Sequence, residues 1–372
     1  MKKWLRTLVM STVAVTTLAA CGTAEESPAP AEGGATDTPA EETSDFKVGM
    51  VTDIGGIDDK SFNESAWAGL SEFGTEFGLE EGTGYRYVQS GDIAEFEPNI
   101  RNLVREDLDL TWAIGYLMND AVLTVSEQNA DAQFAIVDSV VTNKEGTPLQ
   151  NVAHITFKEH EGSFLVGVAA GLQTESNIVG FVGGVEGELI KKFENGFKAG
   201  VKAVNPDAEI RVQYAESFNA ADVGTQIADT MYSQGADIIY HASGATGNGV
   251  FTEARNRALN GENVWVIGVD QDQHEEGIYD EETGASVTLT SMIKRVDRAV
   301  YLVTEQTMNG DFPGGEILEY GLEDEGVGIA TTTDNMSEEA LSTVDEYIER
   351  ILSGEINVPT TDEQYEEYLK TL

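Results

Sequence analysis

Short apolar runs alternate with segments of helical periodicity along most of the chain. The run FKVGMVTD at residues 46–53 is apolar and β-branched, which is typical of a buried strand. In the next segment, Phe62, Leu70 and Phe73 recur at helical spacing. This order of strand and then helix repeats as far as the run QFAIVDS at residues 133–139, and it predicts a mainly parallel sheet.

The same rhythm restarts after the run NVAHITF at residues 151–157. It continues through further strands and helices to the run VWVIGVD at residues 264–270. Two successive series of this kind predict an α/β protein with two similar, doubly wound lobes. In such sheets ligands bind beyond the carboxyl ends of the strands, so the residues that follow each predicted strand are the first candidates for a site.

The loops that follow the predicted strands share one kind of chemistry. They are rich in carboxylates, amides, glycines and aromatic rings, and they carry few basic groups. Their candidate residues are Thr52, Asp53, Gly55, Gly56, Asp58, Asp59, Ser61, Phe62, Asn63, Gly115, Tyr116, Asp138, Ser139, Gly183, Gly184, Tyr240, the run at 243–249 and the run at 268–273. Carboxylates accept hydrogen bonds from hydroxyl and ring N–H groups, and aromatic faces stack on flat rings. This set suits a neutral ligand that is polyhydroxylated or heteroaromatic.

The overall charge argues against several classes of partner. Lys and Arg total 22 against 66 Asp and Glu, so the formal net charge is −44. Nucleic-acid binding needs a basic surface that displaces counterions from phosphates, and this balance argues against it. The same negative field disfavours phosphorylated ligands and adsorption to anionic lipid.

The first residues have the pattern of a secretory signal. Three basic residues precede an apolar stretch at 8–18, which is followed by the small residues of the tetrad Leu-Ala-Ala-Cys. The tetrad resembles a bacterial lipobox and predicts a signal peptide at 1–20 and lipidation of Cys21, the only cysteine. An ordinary signal peptide and an uncleaved anchor are the alternatives. Residues 21–45 are rich in Pro, Gly, Glu and Thr and predict a flexible acidic tether. We therefore expect a protein on the extracytoplasmic face of a bacterial cell membrane, attached only through its lipid.

Four motifs occur in a familiar order: TDIGGIDDKSFNESAWAGL at 52–70, AIVDS at 135–139, GATGNG at 244–249 and GVDQDQ at 268–273. Together they resemble the basic-membrane-protein family of ABC transporter substrate-binding lipoproteins, which includes purine-nucleoside receptors. The resemblance covers residues 46 to about 310. It implies a type I periplasmic-binding-protein fold, with two lobes joined by a hinge, and a ligand such as guanosine, inosine or adenosine. It also implies a permease and an ATPase as partners.

The resemblance also implies lobe boundaries that cross the chain several times. The first lobe is expected at 46–154 plus about 275–315, and the second at 155–274 plus about 316–372. We expect a monomer whose lobes close on the ligand.

Four of the implied contacts concern the base of the nucleoside. Phe62 resembles the aromatic residue that covers one face, Asn63 the amide that bonds a ring edge, and Asp138 the carboxylate that reads the base. Tyr240 falls where the family usually has the Phe of the opposite face. By periodicity alone, the core interpretation is favoured for Phe62, and Tyr240 could equally be a core residue. Because a carboxylate can accept from two adjacent ring N–H groups, guanosine or inosine is expected to bind at least as tightly as adenosine.

Three further contacts are implied for the sugar. Asp272 resembles the carboxylate that grips the ribose hydroxyls, and Asp270 is the alternative. Gly247 resembles a backbone contact to the ribose. Lys294 resembles a sugar contact or counter-charge, although a surface lysine is the plain alternative.

The sequence also bears on four other functions. Another flat heteroaromatic ligand such as riboflavin is possible, because stacking alone does not define the ring. A calcium-dependent nucleoside hydrolase is disfavoured, since Val51 stands where its motif has Asp and four residues separate Asp53 from Asp58 instead of three. The four histidines have no metal-ligand spacing and there is no nucleophile elbow, so we expect neither an enzyme nor a cofactor or metal. An adhesin or sensor would need an exposed aromatic or Arg-rich patch, which the sequence does not supply.

Overall fold

The computed structural model describes residues 45–372. The predicted signal peptide, the lipidation of Cys21 and almost all of the predicted tether lie outside the described residues. Within them, no helix combines the length and the apolar character that crossing a membrane requires.

Strands and helices alternate along most of the described chain, as the periodicity predicts. The strands are β1 (Val48–Thr52), β2 (Tyr85–Gln89), β3 (Leu110–Ile114), β4 (Phe134–Val137), β5 (Val152–Phe157), β6 (Ile178–Gly183), β7 (Glu209–Tyr214), β8 (Ile238–Ala242), β9 (Trp265–Asp270), β10 (Ile278–Asp280), β11 (Ala285–Ser286), β12 (Thr288–Lys294), β13 (Ile317–Tyr320) and β14 (Val327–Ile329). The helices are α1 (Phe62–Glu76), α2 (Phe96–Val104), α3 (Asn119–Gln128), α4 (Glu159–Gln173), α5 (Glu188–Val204), α6 (Ala221–Ser233), α7 (Gly247–Leu259), α8 (Val296–Met308), α9 (Glu338–Leu352) and α10 (Asp362–Leu369).

A six-stranded parallel sheet in the order β13-β5-β4-β3-β1-β2 forms the first lobe. Strands β1, β3 and β4 are buried along their whole length, which explains why their sequences are unbroken apolar runs. Alternate side chains of β1 face opposite layers. Val48 and Met50 pack on the side of α1 and α8, whereas Val51 packs with α2 and α3. The sheet is therefore covered by helices on both faces.

Helix α8 belongs to the first lobe although it lies far along the chain. A Cβ at Gly69 of α1 would lie 2.0 Å from the carbonyl oxygen of Asp297, so glycine permits the close approach of the two helices. The buried indole of Trp112 in β3 also donates to the Thr304 hydroxyl of α8, at 3.0 Å. These contacts fix α8 against α1 and the first sheet.

A second six-stranded sheet, in the order β14-β12-β9-β8-β6-β7, forms the second lobe. Its neighbouring strands are parallel except that β14 runs antiparallel to β12. Tyr240 of β8 packs on the side of α4 and α5, whereas its neighbour Ile239 packs with α6 and α7. Helix α9 packs on α4 and helix α10 packs on α5.

Two segments differ from the predicted lobe boundaries. Strand β12, within 275–315, pairs with β9 in the second sheet and not with the first lobe. Strand β13, within 316–372, pairs with β5 in the first sheet. The chain therefore crosses between the sheets after β5, after β12 and after β13. An apolar run predicts a strand but does not say which sheet edge it joins, so these crossings could not be located from periodicity.

Candidate functional site

A cavity lies between the two lobes at the carboxyl ends of both sheets, where α/β proteins bind ligands. It is partly open to solvent and holds about 570 Å³ of space that protein atoms do not fill. The first lobe contributes Asp53, Gly55, Asp59, Phe62, Asn63, Gly115, Tyr116, Leu117 and Asp138. The second contributes Leu189, Ile190, Phe193, Phe218, Ala242, Ser243, Gly244, Val269, Asp270 and Lys294.

The loop at 53–61, between β1 and α1, forms one wall of the cavity. The carboxylate of Asp59 accepts from the backbone N–H groups of Ser61, Asn63 and Glu64, at 2.9, 2.9 and 3.0 Å. These are donors of the first helical turn that have no partner within the helix. Asp59 therefore caps α1, in agreement with the favourable position of an anion at a helix N-terminus.

Asn63 ties this loop together through both ends of its side-chain amide. The amide nitrogen donates to Asp53 Oδ1 at 2.7 Å and to Asp59 Oδ2 at 2.9 Å, and the amide oxygen accepts from the backbone N–H of Asp53 at 3.2 Å. Both amide hydrogens are thus used within the loop. The network holds Phe62, the first residue of α1, with its ring at the cavity.

Two carboxylates reach the cavity from strand ends, one in each lobe. Asp138 follows β4 with φ of 66°, and Asp270 ends β9 with φ of 69°, in the left-handed region that non-glycine residues seldom adopt. The hydroxyl of Ser61 donates to Asp270 and so joins the lobes. Asp138 Oδ1 is buried and has no hydrogen-bond partner among residues 45–372. Because an unpaired buried acceptor is costly, this oxygen is suited to receive a ligand donor.

Lys294 belongs to a row of alternating charges that is buried except for the half-buried Lys192 at one end. Its Nζ lies 2.6 Å from Asp138 Oδ2 and 3.2 Å from Glu159 Oε1, and Lys192 lies 3.1 Å from Glu159 Oε2. Burial alone lowers the pKa of Lys294, but the adjacent carboxylates raise it above its ordinary value. Burial likewise raises the pKa of Glu159, but the two lysines bring it below its ordinary value. Lys294 and Glu159 therefore stay ionised. Lys294 is a fixed cation at the cavity, and it joins the second lobe to Asp138 of the first.

The carboxyl groups of the cavity are hard to ionise because they are buried. Burial raises the pKa of Asp270 from 3.8 to about 7, although Lys294 and the Ser61 hydroxyl lower it. Burial raises the pKa of Asp53 to about 6, against the hydrogen bonds from Gly55 and Asn63. Where these groups are ionised, a further negative charge at the cavity would be repelled.

Aromatic rings from both lobes form the apolar walls. Phe62 belongs to the first lobe, and Phe193 of α5 and Phe218 of the loop after β7 belong to the second. The ring of Tyr116 meets Phe218 edge-on across the lobes, with ring centroids 6.3 Å apart. A Cβ at Gly184 would lie 2.2 Å from the Phe218 ring, so glycine leaves the space that this ring occupies.

Four of the seven ligand-binding residues predicted from the sequence line this cavity: Phe62, Asn63, Asp138 and Lys294. Lys294 is buried and is not a surface lysine. Asn63 is at the cavity, but both of its amide hydrogens are engaged by the loop. Its expected bond to a ring edge is therefore limited to its oxygen, and its main observed contacts position the loop.

Tyr240 does not line the cavity and cannot be the opposite face of an aromatic sandwich there. Strand β8 continues to Ala242, so Tyr240 is inside the strand and not at its end. Its fully buried ring packs against Phe181 and Phe197, with centroids 5.6 and 5.2 Å away, and its hydroxyl pairs with Ser163 at 3.1 Å. It is a core residue of the second lobe.

Gly247 and Asp272 also lie outside the cavity-lining set. Gly247 begins α7, where a Cβ would lie 2.1 Å from the ring of His241, so packing accounts for glycine there. Asp272 is exposed, and its carboxylate accepts from the backbone N–H of His274 at 3.1 Å. Asp270, the alternative named from the sequence, is the carboxylate at the cavity. It is the last residue of β9, whereas Asp272 lies two residues farther on.

Phe193 and Phe218 were not identified from the sequence. Phe218 lies four residues beyond β7, in a loop that follows a strand, and its position was a signal that could have identified it. Phe193 lies within α5, where a buried ring at a cavity has the same periodicity as a core residue. Among residues 45–372, no group of three or more His, Cys, Asp or Glu is arranged to hold a metal ion.

Comparisons with known proteins agree on one family. Residues 46–362 match the Bmp family, described as ABC transporter substrate-binding protein PnrA-like. The chain is 52% identical over 322 residues to the CD4+ T-cell-stimulating antigen of Listeria innocua, covering 85% of this chain and 89% of that protein. It is 38% identical over 333 residues to the ABC transporter nucleoside-binding protein BmpA of Lactococcus lactis, covering 88% and 92%.

Solved structures share the fold. An ABC transporter solute-binding protein of Aeropyrum pernix aligns with a TM-score of 0.75 at 25% identity, covering 88% of this chain and 98% of that one. A solute-binding protein of Agrobacterium vitis aligns with a TM-score of 0.57 at 10% identity, covering 80% and 98%. The predicted fold, two doubly wound lobes of the periplasmic-binding type, is confirmed.

Proposed function

The chain belongs to the Bmp family of PnrA-like ABC transporter substrate-binding proteins, and from this premise we propose that it captures a purine nucleoside between its lobes. It then delivers the nucleoside to a membrane permease that a separate ATPase drives. The protein does this on the outer face of the cell membrane, where lipidated Cys21 anchors it. The name of the Lactococcus lactis relative, a nucleoside-binding protein, supports this choice of ligand.

The observation that carries the proposal is a cavity between the lobes that is lined by aromatic rings from both of them. A flat base between Phe62 of the first lobe and Phe218 of the second would contact both lobes at once. Contacts of this kind exist only in the closed form, so the ligand itself shifts the lobes toward closure. Phe193 and Leu189 extend the apolar wall on the side of α5.

The polar atoms of the cavity suit the sugar and the edge of a purine. Asp270 accepts from ribose hydroxyls, as the carboxylate already accepts from the hydroxyl of Ser61. Asp138 Oδ2 is occupied by Lys294, which leaves Oδ1 for one donor of the base. Guanosine and inosine carry an N–H at N1, whereas adenosine has an acceptor there. We therefore expect the first two to bind at least as tightly as adenosine, through one bond to this oxygen.

The direct test is to identify the natural ligand and then titrate related ones. Mass spectrometry of small molecules released from the purified protein should detect a purine nucleoside. Calorimetry should then give tight binding of guanosine and inosine, at least tenfold weaker binding of guanosine 5′-monophosphate, and no binding of riboflavin. Riboflavin as the released compound would refute the proposed ligand, and so would tighter binding of the monophosphate.

Replacement of Phe218 by alanine tests the aromatic wall of the second lobe. We expect Phe218→Ala to weaken guanosine binding by about 5- to 100-fold, because base stacking on an aromatic ring contributes roughly 1–3 kcal/mol. Tyr240→Phe is the matched control, since it keeps the core ring and removes only the hydroxyl paired with Ser163. Calorimetry should give unchanged affinity for the control. Normal binding by Phe218→Ala together with weakened binding by Tyr240→Phe would restore Tyr240 as the ligand contact.

A further inference from the structure

Three side-chain amides of the second lobe converge on the loop at 53–61 of the first lobe. Gln273 Nε2 donates to the carbonyl of Lys60 at 2.7 Å, Asn248 Nδ2 to the carbonyl of Asp59 at 3.2 Å, and Asn219 Nδ2 to the carbonyl of Ile54 at 3.1 Å. In each case a second-lobe amide donates to a first-lobe backbone oxygen.

The three amides come from separate loops and helices of the second lobe. Asn219 precedes α6, Asn248 is in the first turn of α7, and Gln273 follows β9. None of the three lines the cavity, and the oxygens that they contact belong to the backbone. The bonds therefore join protein to protein and do not depend on the chemistry of the ligand.

Gln273 is held in place before it reaches the other lobe. Its Oε1 accepts from the backbone N–H of Val269 at 2.8 Å and pairs with His241 Nε2 at 3.0 Å. With the oxygen fixed in this way, the amide nitrogen points to Lys60, and little side-chain entropy is lost when the lobes meet. This pre-positioning suits Gln273 to hold the closed form.

We propose that Asn219, Asn248 and Gln273 form a latch that stabilises the closed form whatever ligand occupies the cavity. They are positioning residues. They set the fraction of protein molecules in the closed form, which is the form that retains the ligand. A ligand's apparent affinity scales with the population of its competent state, so the latch multiplies the affinity for every ligand by one common factor. Ligand selectivity is left to the residues that line the cavity. This proposal rests on the proposed function only for the choice of probe ligand.

The test compares several ligands on one variant. We expect Asn219→Ala/Asn248→Ala to weaken guanosine, inosine and adenosine by one common factor of roughly 5- to 100-fold, since each lost bond changes the equilibrium by about two- to tenfold. Surface plasmon resonance should show that faster dissociation accounts for the loss. Gln273→Glu should act in the same direction, because it keeps the acceptor for Val269 and removes the donor to Lys60.

The control is Asn260→Ala, which removes an amide that donates to the carbonyl of Asn256 within the second lobe, at 2.9 Å. It should leave affinity and dissociation unchanged. The latch is refuted if the double variant binds like the parent, or if its losses differ between the nucleosides by more than about threefold. Unequal losses would show that these amides act on the ligand itself.

A ligand-free measurement separates failure of the latch from failure of the proposed function. Nitroxide labels at Ile93→Cys and Leu259→Cys, both exposed and in different lobes, report the distance between lobes in a Cys21→Ser background. Pulsed electron resonance without nucleoside should show a closed population in the parent that is depleted by Asn219→Ala/Asn248→Ala. Identical distance distributions would refute the latch, even if nucleosides bind. Depletion without any nucleoside binding would uphold the latch and refute the ligand.

Discussion

Asp270→Asn is expected to lose most nucleoside affinity while making the ligand-free protein more stable at alkaline pH. At pH 8, where Asp270 is ionised, guanosine binding should weaken by roughly 10- to 100-fold, because hydrogen bonds to a charged group contribute roughly 1.5–3 kcal/mol. Asp272→Asn is the matched control, since Asp272 is exposed and does not line the cavity. Calorimetry of the two variants decides between the carboxylates. Loss of affinity in Asp272→Asn with normal binding in Asp270→Asn would return the ribose contact to Asp272.

The stability effect of Asp270→Asn follows from the direction of its pKa shift. The folded protein raises the pKa of Asp270 from 3.8 to about 7, so the protonated group is favoured in the folded state. Its stabilising contribution is full below about pH 4 and is lost as pH rises through about 7. Asparagine removes this dependence. At pH 8 the variant should therefore be more stable to unfolding by urea, on the order of 2–4 kcal/mol, because one pKa unit corresponds to roughly 1.4 kcal/mol. If the free energies of unfolding of the parent and the variant changed equally with pH from 4 to 8, burial of the ionised Asp270 would have no cost in stability.

Lys294→Met is expected to destabilise the fold strongly. The substitution leaves Asp138 without its cation and leaves Glu159 with only Lys192 as its partner, both in a buried setting. Breaking a buried ion pair by removing one partner costs roughly 3–5 kcal/mol. Urea denaturation at pH 7.5 should show this loss in the free energy of unfolding.

Two further variants make the Lys294 prediction specific. Lys370→Met breaks an ion pair with Glu367 whose side chains are 66% and 73% exposed, and it should cost less than about 1 kcal/mol. Lys294→Met/Glu159→Gln removes one of the stranded charges and should be more stable than Lys294→Met alone. If Lys294→Met matched Lys370→Met, the buried row of charges would have no role in stability.

The sequence predicts the fold because the fold depends on periodicity. Buried parallel strands such as β1 and β4 leave unbroken apolar runs, and α1 leaves Phe62, Leu70 and Phe73 at helical spacing. The order of strands and helices can therefore be predicted from the sequence. Sheet membership cannot, since β12 and β13 are apolar strands of the expected kind that pair across the predicted boundary. Pairing depends on the path of the whole chain.

The site residues also divide into those that the sequence locates and those that it does not. Asp138 and Phe62 follow directly from strand ends and from the motif that carries them. Tyr240 fails because β8 runs two residues farther than expected, so that Ala242 and not Tyr240 stands at the end of the strand and lines the cavity. Asp270 and Asp272 differ by two positions around the end of β9, which is below the precision of a strand boundary taken from sequence. Lys294 shows the opposite case, where only the fold reveals two buried carboxylates in contact with one lysine.

The proposed function requires that a purine nucleoside bridge the two lobes in this cavity. A crystal structure of the protein with guanosine tests it most directly. We expect the base between Phe62 and Phe218, an N–H of the base on Asp138, and the ribose hydroxyls on Asp270. Guanosine bound elsewhere, or a base that contacts only one lobe, would contradict this expectation.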